Sequence, residues 1–241
     1  GEKLHSLAFN FLGNLDDTLE EIKFEKESMS GKVRIGTLTG VGKSWIAPKL
    51  LSYAKENEDL TVSVTMGFQE DLVREFENYR LDILILPEES LPATGERIIL
   101  SEEKSIFVYP DSEQFADIST DIDLDSLLGY PTILFQQQDH LFIKWCKDRF
   151  GKAPKKINTR YIVNSHGNML QAVQQGVGVA VVPKHVLSRS FYKDKIKTLG
   201  GDFEVSNGKF YLVFHKESKD LLRIKNTLDR LTARPNPFSE N

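Results

Sequence analysis

The chain has 241 residues, of which 40% are hydrophobic and 27% charged, enough apolar material for one or two packed domains. Its 31 basic and 35 acidic side chains leave a net charge of −4, a bulk field that does not favour gripping a phosphate backbone. A single cysteine, Cys146, excludes an intrachain disulfide framework and a multi-cysteine metal site. No apolar run approaches the ~20 residues that span a bilayer. Residues 1–17 contain no basic stretch leading into an apolar one, so no export signal is expected and the compartment reads as cytoplasmic. The chain also opens without an initiator Met, as a fragment would.

Residues 1–30 form the first unit. Leu4, Phe11 and Thr18 recur every seven residues, and Ala8, Leu15 and Ile22 repeat at an offset of four. That seam is the pattern of a long helix packed along a partner helix. A helix lying on its own domain would show a similar stripe, though a shorter one suffices for docking. Ser30-Gly31 ends the helix.

From residue 31 the pattern alternates between strand and helix. Strands are predicted at 32–36, 60–66 and 81–86, with helices at 44–57 and 68–78 between them. The third strand is almost wholly apolar, as a strand covered on both faces should be. This order implies a parallel sheet with right-handed crossovers. Residues 97–110 read as extended and long enough to pass between two lobes. Beyond them, strands are predicted at 130–135, 157–163, 177–182 and 209–215, and helices at 140–150, 167–175 and 219–231. Two small α/β lobes fit this layout better than one large sheet. The tail from 233 on, with Pro235 and Pro237, reads as loose.

Residues 40–44 read Gly-Val-Gly-Lys-Ser between a strand and a helix. A phosphate-cradling loop needs Gly-x4-Gly-Lys-Ser/Thr, but position 37 is Thr and Gly36 lies one residue too far back. The acidic companion is also misplaced, since Asp82 starts its strand. The segment is instead expected to offer backbone N–H groups and Ser44 to an anion at a helix N-terminus, with Lys43 adding charge. Asn164-Ser165-His166-Gly167 opens a second helix, where Ser165 reads either as a simple N-cap or as part of a site facing the first across a cleft. Ligands of open α/β sheets sit outside the carboxyl ends of the strands. Met66-Gly67-Phe68-Gln69 and Phe135-Gln136-Gln137-Gln138 occupy that position too. The glutamines read equally as a solvated loop or as amide partners for a polar ligand.

No catalytic set emerges, and no cofactor or metal is implied. The five histidines, His5, His140, His166, His185 and His215, show no HxH or HxxxH spacing. No Gly-x-Ser-x-Gly elbow occurs. Cys146, between Trp145 and Lys147, is expected to be packed, with a lone redox-sensing thiol as the other reading.

The order of these elements resembles the regulatory half of LysR-type transcriptional regulators. Gly1-Glu2-Lys3-Leu4 looks like the end of the family's Thr-x-Ala-Gly-Glu-x-Leu segment, and Gly31-Lys32-Val33-Arg34-Ile35-Gly36 is similar to its Gly-x-Leu-Arg-Ile-Gly strand. Leu81-Asp82-Ile83-Leu84-Ile85 resembles its third strand. The strongest likeness is the stretch 169–183, with Gly176-Val177-Gly178-Val179-Ala180 and Pro183, to the Val-x-x-Gly-x-Gly-Ile-Ala-apolar-Leu-Pro signature. Mechanically, Gly176 ends a helix, Gly178 lets the chain enter a close-packed strand and Pro183 stops it.

The resemblance implies an α/β fold of two Rossmann-like subdomains, as in type 2 periplasmic binding proteins, preceded by a long linker helix. It divides the chain into a linker at 1–30, subdomain I at 31–103 and 205–241, and subdomain II at 104–204. It further implies a small-molecule effector in the cleft, touching Thr39, Lys43, Ser44, Met66, Gly67, Phe68, Ser101, Phe135, Gln136, Gln137, Ser165 and His166. Two helix N-termini with Lys43 and Gln136 suit a small organic anion. A homodimer or homotetramer is implied through the linker helix and residues 44–66, and DNA contact through a winged helix-turn-helix upstream, with no membrane partner. The family's first-loop position is often a lone Ser or Thr at the helix start, whereas this chain carries Lys43-Ser44. A free-standing solute-binding protein of a transport system is the alternative, opposed by the heptad helix and the lack of an export signal.

Overall fold

The computed structural model describes residues 26–200 and 203–234. The heptad stripe of residues 4–22 and the Pro-containing tail from residue 235 lie outside the described residues.

The first half begins with β1 (Gly31–Leu38), α1 (Ala47–Glu56), β2 (Leu60–Gly67), α2 (Gln69–Glu77) and β3 (Ile83–Pro87). β1 pairs in parallel with β2 on one side and β3 on the other, as the alternation of elements requires. Every residue of β3 is buried, because helices cover both faces. The Arg-Ile-Gly and Leu-Asp motifs meet at this junction. Asp82 accepts from the Arg34 backbone N–H (2.8 Å), from Nε (3.0 Å) and from Nη2 (2.5 Å). In return the Asp82 N–H donates to the Arg34 carbonyl at 2.8 Å. The side-chain bonds hold the Arg34 guanidinium above its usual pKa. One carboxylate therefore fixes the register of β1 against the start of β3. Replacing Asp82 by Ala should cost about 2 kcal/mol, discounted because Arg34 is 37% exposed. Urea unfolding of the variant checks this; an unchanged midpoint would mean the register is set by apolar packing alone.

The second half holds β4 (Glu96–Pro110), α3 (Leu124–Gly129), β5 (Thr132–Leu134), α4 (His140–Phe150), β6 (Thr159–Ile162), α5 (His166–Gln174), β7 (Ala180–Pro183), α6 (Lys184–Ser188) and β8 (Ile196–Thr198). The chain then returns through β9 (Val205–Phe214), and the last element among the described residues is α7 (Leu222–Thr232). β4 and β9 are long, run antiparallel to each other, and pass through both halves. They join most of what the sequence suggested as two separate sheets into one hydrogen-bonded order, β2-β1-β3-β9-β4-β7, with β8 also on β4, while β5 and β6 pair in parallel as a separate two-stranded sheet. The ladder between them slips twice, once between Ile99 and Ser101 and once between Glu103 and Lys104. Bulges of this kind bend a strand pair locally and increase its twist.

Among the described residues the buried apolar clusters nevertheless fall into two regions, one in each half. One lies around Ile35, Leu50, Leu60, Phe76, Leu84, Leu212 and Ile224. The other lies around Phe107, Leu134, Trp145, Leu170, Val181 and Leu187. Cys146 belongs to the second and is wholly buried. Burial pushes its thiol up to about 12, which favours the packed reading over that of a redox-sensing thiol.

The strongest motif has a local explanation. At the end of α5 the Gly176 N–H donates to the Val173 carbonyl and the Val177 N–H to that of Ala172, with Gly176 at φ +78. This is a Schellman closure, and it needs a left-handed residue. Two residues on, the Val179 N–H reaches the Pro131 carbonyl at 2.8 Å. A Cβ on Gly178 would lie 2.2 Å from that oxygen.

Candidate functional site

The chain leaves β1 directly into helix. Leu38 is the N-cap, Thr39–Val41 is already helical, and a π turn over Gly42–Ile46 leads into α1, with the Ala47 N–H donating to the Gly42 carbonyl. The helix thus starts five residues earlier than the sequence suggested. Lys43 and Ser44 are not at its N-terminus; Lys43 is exposed and Ser44 half-buried within the helical run. The glycines explain the difference. Gly42 is a contact residue rather than a loop residue, since a Cβ there would lie 2.8 Å from Met66. The π turn also buries Trp45 and Ile46 in succession.

Ser44 instead meets the other half. Its Oγ lies 2.8 Å from Nδ1 of His185. A Cβ placed on Gly40 would sit 3.6 Å from Val186 and 3.7 Å from His166 Nδ1. On its far side the His185 ring presents Nε2 to Glu103 Oε1 at 3.0 Å. The second Glu103 oxygen accepts from Asn207 Nδ2 at 3.1 Å. Both Glu103 and His185 are buried.

Phe135 and His166 come together with ring centroids 4.6 Å apart. Burial lowers the His166 imidazole to about 4, with Glu103 opposing and His185 adding to the shift. Ser165 caps α5 by accepting from the Asn168 N–H, as the simple capping reading expected. The loop of glutamines is spanned by Asp139, whose carboxylate accepts from the N–H groups of Phe135 (2.7 Å) and Phe142 (3.1 Å). Burial pushes the Asp139 carboxyl up against the pull of these bonds. Gln136 and Gln137 are exposed, and Gln136 Nε2 donates to the Gln138 carbonyl. Thr39 and Phe68 are exposed at the ends of β1 and β2. Gly67 lies against Leu72. Ser101 is on β4, on the same inward-alternating side as Glu103 and Ser105.

The structure therefore brings Ser44 onto His185 and Gly40 beside His166 where the halves meet, with the Phe135 ring tilted against His166 and Met66 packed beneath the π turn. It leaves Lys43, Gln136 and Gln137 facing solvent. His185, Glu103 and Asn207 were not singled out by the sequence. His185 follows β7 at a strand's carboxyl end, the same position that flagged residues 66–69 and 135–138. A separate groove of about 370 Å³ on the first half is lined by Met29, Tyr53, Glu56, Asn57, Asn226 and Arg230, and shares none of these residues.

Residues 26–235 match the family model of the LysR substrate binding domain, and the chain belongs to that family. The HTH-type transcriptional regulator CzcR of Bacillus thuringiensis (strain Al Hakam) is 26% identical over 196 residues, covering 79% of this chain and 61% of that protein. CzcR of Bacillus anthracis is 26% identical over 196 residues, with coverage of 79% and 63%. The chain thus spans about three-fifths of the length of these curated relatives. Among solved structures, CrgA, a LysR-type transcriptional regulator from Neisseria meningitidis, aligns with a TM-score of 0.69 at 15% identity, over 93% of this chain and 75% of that one. HinK, a LysR family transcriptional regulator from Pseudomonas aeruginosa, aligns at 0.65 and 19% identity, over 92% and 78%. These likenesses carry the fold, the two-lobed α/β arrangement of type 2 periplasmic binding proteins. Among the described residues no helix is long and apolar enough to cross a membrane.

Proposed function

We propose that this chain is the effector-binding and oligomerisation portion of a LysR-type DNA-binding transcription regulator, acting in the cytoplasm and without catalysis of its own. The observation that carries this reading is the meeting of both halves at one polar contact, Ser44 of the first on His185 of the second at 2.8 Å. Subdomain I then comprises residues 31–103 and 205–241, and subdomain II residues 104–204. A solute entering beside the start of the helical run at Thr39–Val41, with Met66–Phe68, Ser101, Phe135–Gln137 and Ser165–His166 around it, would touch both. Such a solute changes the angle between the halves only through its difference in affinity for the two arrangements. The change would pass to a DNA-binding domain joined upstream.

Pairing of two copies fits the same geometry. β2 is an edge strand of the sheet, and an open edge is a template for a second chain. A partner-packing seam on the heptad pattern of residues 4–22 would add to that pairing.

A thermal-shift screen of small carboxylates and amino acids against the 241-residue chain tests the reading. A compound present at 100 times its Kd should add about 2.7 kcal/mol of stability. Ser165→Ala, which removes the α5 cap, should lower the baseline by about 1 kcal/mol and also shrink the compound's shift. An equal shift in both proteins would place the binding elsewhere.

A further inference from the structure

The geometry points to Ser44, His185 and Glu103 as a latch that holds the two halves together without any ligand and ties the cleft to the hinge. Ser44 belongs to the helical run after β1, and His185 to α6 on the other side of the cleft. The Ser44 Oγ to His185 Nδ1 distance is 2.8 Å. The ring cannot drift, because Nε2 is held by Glu103 Oε1 at 3.0 Å. A carboxylate on Nε2 fixes the hydrogen there and leaves Nδ1 aimed at the Ser44 hydroxyl.

The line continues into the strands that connect the halves. In the ladder Glu103 pairs with Gly208 and Lys104 with Ser206, so Asn207 is the extra residue of the bulge. Its side chain spans the slip. Nδ2 donates to Glu103 Oε2 at 3.1 Å, and Oδ1 accepts from Ser105 Oγ at 3.1 Å. Gly208 beside it has φ +98, a conformation that other residues rarely adopt. The bulge is where β4 and β9 pass from one core to the other. Hydrogen bonds thus run unbroken from the cleft contact at Ser44 to the bulged hinge at Asn207. Loss of the Ser44 contact frees His185 and Glu103 to shift, and Asn207 carries that shift into the hinge.

The latch needs no solute in order to act. Its consequence for a solute, which must compete with Ser44 for His185, rests on the effector reading above.

The test uses spin labels on cysteines introduced at exposed Glu77, on α2, and Gln174, on α5. Cys146 is buried and should not take label. Pulsed electron–electron distance measurement is made on the ligand-free chain, diluted with an excess of unlabelled chain so that only distances within one copy are read. The parent should give one narrow distribution. Ser44→Ala should broaden it and add a second population, since loss of one such bond shifts a closed-to-open ratio by roughly two- to tenfold. Ser44→Thr, which keeps the hydroxyl, should restore the narrow form. Ala is a better helix former than Ser, and an unchanged circular dichroism spectrum confirms that the variant is folded. A parent distribution as broad as that of Ser44→Ala, or no change in Ser44→Ala, overturns the latch. Neither result depends on finding a ligand, so failure here is separate from failure of the thermal-shift screen.

Discussion

Gly178→Ala should lose about 3 kcal/mol or more, and fail to fold if the parent's reserve is smaller than that. The added Cβ would fall 2.2 Å from the Pro131 oxygen and 2.7 Å from its carbonyl carbon. Both are backbone atoms, so no rotamer change relieves the clash. Moving the backbone apart breaks the Val179 to Pro131 bond and strains the Ile133 to Val179 bond, each 2.8 Å. Overpacking a core commonly costs 1–3 kcal/mol, and backbone against backbone belongs at the top of that range or beyond it. Gly129→Ala is the control. Nothing lies within 4 Å of its added Cβ, so stability should stay within about 1 kcal/mol of the parent. Urea unfolding of both variants checks the pair. Equal midpoints for the two would remove this explanation of the family's second glycine.

Acid should weaken the fold through His166. Its folded value is about 4 against 6.5 for the free group. Between those values the unfolded chain binds the proton and the folded chain does not. Stability from this group is therefore complete above pH 6.5, falls as the pH drops, and is fully lost below pH 4. The total is about 3 kcal/mol. His166→Phe keeps a ring against Phe135 and removes the titration. The loss in unfolding free energy between pH 7 and about pH 4.5 should be smaller in this variant than in the parent by a large part of that amount. Parallel losses in the two proteins would mean that the half-buried imidazole keeps its ordinary contact with solvent in the fold.

The sequence foretold most clearly what rests on long periodic runs. The helix at His140–Phe150 falls where it was expected, because an apolar stripe bounded by Asp139 and Gly151 leaves little freedom. The strand around Ile83–Leu86 was legible because only burial on both faces explains so continuous an apolar run. The helix over Thr39–Ile46 was not. Its two glycines suggest a loop, whereas in the fold they serve close contact with Met66 and with the second half. α3, α6 and β8 have six, five and three residues, too few for a period to emerge. The joined sheet was missed because pairing between β4 and β9 is set by contacts about a hundred residues apart in the chain. Around the proposed cleft, the Ser165 cap was legible from cap chemistry. His185 and Glu103 lie in no motif. Their only sequence signal is position, one after a strand's carboxyl end and the other on the inward side of an alternating strand with Ser101 and Ser105.

Hydrogen exchange, read by mass spectrometry on the chain with and without a compound found in the thermal-shift screen, bears most directly on the role of the cleft. Protection is expected together on the amides of Thr39–Val41 in the first half and on those of Phe135, Gln136 and residues 166–168 in the second. Protection confined to one half, or to the groove around Met29, Tyr53 and Arg230, would contradict it.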